Sequence, residues 1–435
     1  MKIFKRLFIS FTLFLSICSG AWASSDAING AFSVSSTKKV AFSKGNLQQV
    51  NGIWQFAEHQ YDYFGANQSS DHLDMFAFNE DFSVPDSKES WYILSQSEWT
   101  YLYTTRSVNN TLSEDARFIK VTIGGTYRGM ILFPDNYTHP EGTDFVGSLF
   151  NYTGADDYTA TVSLEGWTKM EDAGAVFLPA AGYSTGYSSY GNAGCYHSTT
   201  KRPDAPSIYY MTPTFYVDNI VLDDCCYYGT KTSVRFVCDA TSYTVPTSGI
   251  GSFSTNVPIT LPKGLKAYYC KNYDSETSKI ETKGITGTIP ANTGVLLRGT
   301  AGETYAITAS SETPEAISDN ALVAVTEATH VDQTDGDYTN FMMKGGKFIK
   351  IAASSNPDDK LPANRAYLPI LTSALSTIGS NSIEVKWDEE TSISNVNGNG
   401  NVTHKDAWYS LDGRKLNGIP AKGGVYINNG KKVVK

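Results

Sequence analysis

The chain has 435 residues, a formal net charge of −9 and 13% aromatic residues, 27 of them tyrosine. That composition is too sticky for disorder, and the length suffices for two or three cores. Lys2, Lys5 and Arg6 stand in residues 1–23 and a net of +5 sits in residues 391–435, so the body between carries −17, which argues against nucleic acid as a partner.

The first predicted element is a targeting segment. Lys2, Lys5 and Arg6 form a positive n-region, Leu7 to Ile17 an apolar h-region, and Ala21-Trp22-Ala23 a small-residue cleavage site, so residues 1–23 read as a signal peptide. Ile17 replaces the small residue a lipobox needs before Cys18, which favours cleavage after Ala23 over lipidation. No later apolar run is long enough for a transmembrane helix. The expected product is secreted or held at the cell surface, with passage of an outer membrane allowed.

Phe32, Val34, Val40 and Phe42 alternate as strands do. Asn46–Val50 and Ile53–Phe56 flank Asn51-Gly52, a hairpin signal because a tight turn needs positive φ there. Ser95 and Glu98 make a capping box, and the helix it opens runs through Trp99, Leu102 and Tyr103 on one apolar face. Arg106 follows where a cation suits the helix C-terminus. Gly124-Gly125 separates two strand-like runs, 118–121 and 130–133, and Leu164 to Met170 suggests a second short helix.

From Gly182 to Tyr228 the chain is rich in Gly, Ser, Asn and Tyr and weakly periodic. A long irregular stretch inside a compact domain reads as a binding loop, and tyrosine offers large contact area with a polar tip. Tyr183, Tyr187, Tyr190, Tyr196, His197, Tyr209, Tyr227 and Tyr228 are therefore the candidate ligand-binding residues. Tyr210 and Tyr216 belong to the same crowd, of which half or more are expected to be structural.

Residues 245–388 show strand-length runs between turn residues and no helix signal, which suggests an antiparallel sandwich. Pro290-Ala-Asn292 and Pro362-Ala-Asn364 share a turn leading into a strand, a recurrent local motif without a full repeat around it. A Ser/Asn/Gly linker, 391–401, precedes a basic tail with two short apolar strands.

Three segments in this order, Trp91-Tyr-Ile-Leu-Ser-Gln-Ser-Glu-Trp99, Phe177-Leu-Pro-Ala-Ala-Gly-Tyr183 and Ser233-Val-Arg-Phe-Val237, resemble a domain widespread in secreted proteins of Bacteroidales-type bacteria. That domain is related to formylglycine-generating enzymes and C-type lectins. The resemblance implies an α+β fold: a C-type-lectin-like domain over 30–240, then an all-β antiparallel sandwich over 245–388 and a small C-terminal β module over 391–435. It also implies a buried structural Arg235, its fork satisfied by carboxylates or carbonyls. The oxidases of that group bind copper through a cysteine pair whose pattern Cys195, Cys225 and Cys226 do not follow, and relatives carry tryptophan where this chain has His197. The sugar-binding Glu-Pro-Asn and Trp-Asn-Asp triplets of calcium-dependent lectins are missing from the sequence. Tyr409-Ser-Leu-Asp-Gly-Arg414, Gly424-Val-Tyr-Ile427 and Lys432-Val-Val-Lys435 resemble C-terminal modules of exported Bacteroidales proteins, some of which are sorting signals of the type 9 secretion system.

Export makes disulfides the default for cysteine. Cys195, Cys225, Cys226 and Cys238 are the candidates. The neighbours Cys225 and Cys226 are poorly placed to bond each other, so Cys195 and Cys238 take one each or bond each other, and Cys270 stays free. A zinc site built from these thiols and His197 fits no standard spacing.

Gly182-Tyr-Ser-Thr-Gly186 matches the nucleophile-elbow pattern, but no helix signal follows it, so a Gly-rich turn is the better reading. The pairs Asp71 and Asp74, Asp156 and Asp157, and Asp223 and Asp224 read as solvated turns, with Ca²⁺ as the alternative; no cofactor is named otherwise. His59, His72, His139 and His330 read as surface groups. The whole is expected to be a non-enzymatic recognition or adhesion protein binding a glycan or a host protein. The alternatives are a divergent formylglycine-generating-type oxidase or hydrolase, and an architectural part of a surface assembly.

Overall fold

The turn chemistry of the N-terminal region forms as read. Asn51 and Gly52 both adopt positive φ, 51° and 79°, and join Leu47–Val50 to Ile53–Phe56 in an antiparallel hairpin. The computed structural model describes residues 26–85, 87–143, 145–146, 160–184, 189–216, 219–375 and 381–388, together with four strands of the C-terminal segment. The signal peptide, Cys18, Tyr187, Asp156, Asp157 and the 391–401 linker lie outside the described residues.

The expected α+β class is overturned. The described residues are strand-dominated, and their α-helices are two nine-residue segments, α1 (Gln96–Thr104) and α2 (Leu164–Asp172). Both helices stand where their capping signals lie. Ser95 accepts from the Glu98 backbone while Glu98 reaches back to the Ser95 amide, and Ser163 caps α2 by accepting from Gly166. Each helix spans only about 13 Å, and strands carry the rest of the core, some of them buried on both faces, as Val176–Pro179 is. The result is a β-rich fold with two helical inserts.

Trp99, Leu102 and Tyr103 turn inward from α1 and meet Phe32, Phe42, Phe118 and Tyr196. Trp167 and Met170 of α2 pack with Ile119, Ile131 and Phe177. The strands Phe118–Ile123, Tyr127–Leu132 and Val176–Pro179 lie between the two helices' clusters, because alternate residues face opposite sides of their sheet.

Two buried arginines hold this half in place by different means. Arg106 is fully buried beyond α1. Its Nε donates to the Leu102 carbonyl at 2.7 Å and its Nη1 to Asp135 at 3.2 Å. Burial alone would raise the Asp135 carboxyl; Arg106, Ser33 and Lys39 outweigh it and hold it below the ordinary range. Arg235 is equally buried, and of the expected carboxylates or carbonyls its fork meets the side-chain amide carbonyls of Asn46, at 3.4 Å, and of Gln60. Gln60 relays the contact, donating at 2.8 Å to Glu171.

One strand, Val237–Thr244, ties the two halves of the chain together. Its first residues pair with Lys39–Phe42 (Phe42 opposite Val237) and its last with Thr304–Ala309 (Thr244 opposite Thr304). The sequence boundary drawn between 240 and 245 thus falls inside a strand of a five-stranded sheet. Tyr243, Tyr305 and Ile307 from that sheet pack against Phe253, Ala267, Val295 and Leu297 from a ten-stranded one. The larger sheet is mixed: Lys279–Ile285 and Ser382–Lys386 run parallel, where an all-antiparallel arrangement was expected. Asn292 and Asn364 both sit at positive φ, 54° and 59°, so the Pro-Ala-Asn motif makes the same turn twice.

Residues 387–435 form a second unit. Its described strands, Trp408–Ser410, Lys415–Leu416, Val425–Asn428 and Lys431–Val434, make an antiparallel four-stranded sheet. Among the described residues no helix is long and apolar enough to cross a membrane.

Candidate functional site

The buried strand Val176–Pro179 leads through Gly182 into the irregular region. The chain returns as Ala193–Cys195, which pairs with Thr214–Tyr216. Gly194 is required there: a Cβ would sit 2.1 Å from Cζ of Phe215, whose ring lies across the backbone. Beyond it, Tyr209–Met211 and Cys225–Tyr227 form a separate two-stranded antiparallel sheet.

That small sheet sorts the tyrosines and cysteines by the pleat. Tyr209 pairs with Tyr227, Tyr210 with Cys226, and Met211 with Cys225. Neighbours along a strand point to opposite faces, so Tyr209, Tyr227 and Cys225 share one face while Tyr210 and Cys226 share the other. On the first face the Tyr209 and Tyr227 rings meet edge to face at 6.0 Å, and Tyr227 is 57% exposed. Arg202 lies 5.5 Å over Tyr209. Its fork is held by Asp204 at 2.7 and 3.0 Å, and its Nη1 donates to the Cys225 sulfur at 3.3 Å.

On the other face a column of rings runs inward. Tyr228 packs on Tyr210 at 4.9 Å, Tyr210 stacks on Phe78 at 4.4 Å, and Phe78 stacks on His197 at 3.9 Å. The Tyr228 hydroxyl donates to the Pro206 carbonyl. Lys201 stands 6.0 Å from the Tyr210 ring.

The expected binding residues therefore separate. Tyr209, Tyr227 and Tyr228 come together on the small sheet. Tyr183 and Tyr190 are half-buried near Gly182, away from that sheet's pairings, and Tyr187 is not among the described residues. Tyr196 is a correction. It is 1% exposed, packs on Trp99 and Phe215, and donates from its hydroxyl to the Pro179 carbonyl at 3.0 Å. The residues on either side of it, from 193 to 198, are buried as well. His197 is corrected likewise. It is buried, its Nδ1 lies 2.7 Å from the Thr232 hydroxyl, and burial pushes its pKa down to about 3. It supports the ring column from beneath as a neutral imidazole.

The thiols sort too. Cys195 and Cys226 meet with their sulfurs 3.7 Å apart. Cys238 is buried against the Ala41 carbonyl and Cys270 lies in the strand Lys266–Asp274, so neither partners the group near Cys195. Among the described residues no three His, Cys, Asp or Glu side chains gather as a metal site would require. Of the acidic pairs, Asp71 is exposed but Asp74 is a correction: it is 2% exposed, accepts from the Phe64 amide, and its Oδ1 has no partner among the described residues. Burial pushes its pKa up to about 6. Asp224 is a turn residue, accepting from the Tyr216 hydroxyl and the Cys225 amide, both at 2.8 Å. Ser184 of the elbow-like motif sits in an extended bridge to Lys231.

Sequence reasoning missed Phe78 and Arg202. Phe78 is about 120 residues from its ring partner His197 and carries no local signal. Arg202 was legible in part, since Lys201-Arg202-Pro203-Asp204 places two cations beside the tyrosine-rich stretch. Scans against family models, curated proteins and solved structures return no match to this chain.

Proposed function

We propose that this is an exported, surface-acting recognition protein that takes a glycan on the small sheet of Tyr209–Met211 and Cys225–Tyr227. The observation that carries the reading is the exposed Tyr227 paired with the half-buried Tyr209, with Arg202 against it. Two such rings offer a sugar's C–H face a stacking surface, their hydroxyls supply polar contacts, and both side chains lose little entropy on binding. Arg202 is held by Asp204 and Cys225, so the surface beside the rings is preorganised. Export rests on the leader over residues 1–23, with a mature chain beginning at Ser24, and the basic C-terminal module serves sorting or attachment.

The test is a glycan and mucin array probed with the mature chain, with and without Ca²⁺. Saturable binding that falls at least tenfold in a Tyr209→Ala, Tyr227→Ala double variant supports the reading. A blank array, or binding unchanged in that variant, sinks it and turns attention to a protein partner or an architectural role. N-terminal sequencing of the exported protein checks the leader, with Ser24 as the expected first residue.

A further inference from the structure

Cys226 lies on the inner face of the small sheet and Cys195 at the end of a strand buried in the main core. Their sulfurs are 3.7 Å apart. A bonded pair needs about 2.0 Å, so the sulfurs have about 1.7 Å to close. Each sulfur also accepts a hydroxyl: Thr214 donates to Cys195 at 3.3 Å and Thr212 to Cys226 at 3.5 Å. Cys225 is excluded by the pleat, which turns it to the outer face and into contact with Arg202.

We propose that Cys195 and Cys226 are a redox-active dithiol that closes to a disulfide by exchange with an external disulfide, clamping the aromatic sheet to the core. The two thiols are unequal. The hydrogen bond from Cys195 lowers the Cys226 thiol against the opposing effect of burial, with help from Thr212. The same contact, and burial, raise Cys195. Cys226 is the half-buried one, so it is both the better nucleophile and the reachable one.

Cys226 thiolate attacks one sulfur of the external disulfide, forming a mixed disulfide and expelling the other half as a thiolate. Cys195 then attacks the Cys226 sulfur, releasing the second half. Two protein thiols are oxidised, one external disulfide is reduced to two thiols, and the two protons end on those thiols. Once bonded, the strand Cys225–Tyr227 is anchored to Ala193–Cys195, although its backbone ladder pairs only with Tyr209–Met211. This inference goes beyond the glycan reading and does not depend on it, since the crosslink is read without any ligand.

The experiment takes the full exported chain, reduces it, exposes it to oxidised glutathione, blocks remaining thiols and maps the peptides without reduction. The expected result is one peptide pair joined through Cys195 and Cys226, with Cys225, Cys238 and Cys270 alkylated after denaturation. Cys225→Ser keeps the crosslink; Cys195→Ser stops at a glutathione adduct on Cys226. Amide exchange over residues 225–228 is expected to be at least tenfold faster in the reduced chain. A folded wild-type chain that forms no crosslink, a crosslink through Cys225 or Cys238, or an adduct that forms on Cys195 overturns the dithiol. Equal exchange in the two redox states overturns the clamp. The wild-type map needs no variant, so a substitution that fails to fold does not obscure the answer.

Discussion

The sheet-rich region of residues 245–386 and the small sheet around Cys226 draw on similar aromatic residues and use them in opposite ways. In the first, Tyr305, and Tyr243 from the strand that enters it, lie between two sheets, 3% exposed each. Strands there run up to nine residues, as in Lys266–Asp274, and pair on both sides. In the second, the strands are three residues long, and the far edge of Tyr209–Met211 meets a short bridge of Lys201 to Tyr210. A sheet so narrow covers one face at most, so its inner ring Tyr210 stacks over Phe78 and His197 while Tyr227 on its outer face stays in solvent. Tyr243 and Tyr305 are buried because a second sheet packs over the face that carries them, whereas among the described residues nothing covers Tyr227.

Truncating a ring in each region breaks the comparison most directly. Phe253→Ala, in the core between the sheets and 1% exposed, is expected to cost about 3–5 kcal/mol. Tyr227→Ala is expected to cost less than about 1 kcal/mol. Chemical denaturation of both variants checks this, and equal losses would mean that Tyr227 is a core residue. Closing the disulfide sharpens the contrast from the other side. It encloses a loop of about 31 residues, which stabilises the chain by about 3–4 kcal/mol relative to the reduced form, with the gain concentrated in the small sheet.

Buried titratable groups give smaller, signed effects. Asp74 is ionised at pH 7 with one oxygen unpartnered among the described residues, so Asp74→Asn is expected to raise stability there by about 1–3 kcal/mol. The sign follows from linkage. The folded carboxyl holds a proton up to about pH 6 that the unfolded one loses near 3.8, so this group destabilises the fold as pH rises through that window. His197 works the other way. The unfolded imidazole takes a proton near pH 6.5 that the folded one refuses until about pH 3. Stability therefore falls on acidification between those values by up to about 1.4 kcal/mol per pH unit. Denaturation at pH 7 and pH 5 resolves the two: His197→Phe flattens the acid loss, and Asp74→Asn steepens it.

Local chemistry was legible in the sequence, and long-range chemistry was not. Ser95 and Glu98, Asn51 and Gly52, and the paired Asn292 and Asn364 all announce their geometry within four residues. The α+β expectation came from resemblance, and the chain's own signals supported only two short helices. Tyr196 and His197 read as candidate binding residues because they stand inside a Gly- and Tyr-rich stretch. Their burial depends on Trp99, Phe215 and Phe78, which sequence order does not bring near. The cysteine pairing stayed open for the same reason. Only the register of Tyr210 opposite Cys226 turns one of two adjacent thiols toward Cys195.

The most direct test of the account is a binding titration of one array-identified glycan against the wild-type chain, Tyr227→Ala and Tyr338→Ala. Tyr338 is the control, a tyrosine 44% exposed on the larger sheet. The account expects at least tenfold weaker binding for Tyr227→Ala and wild-type binding for Tyr338→Ala. Equal affinity in all three, or loss with Tyr338→Ala alone, would contradict it.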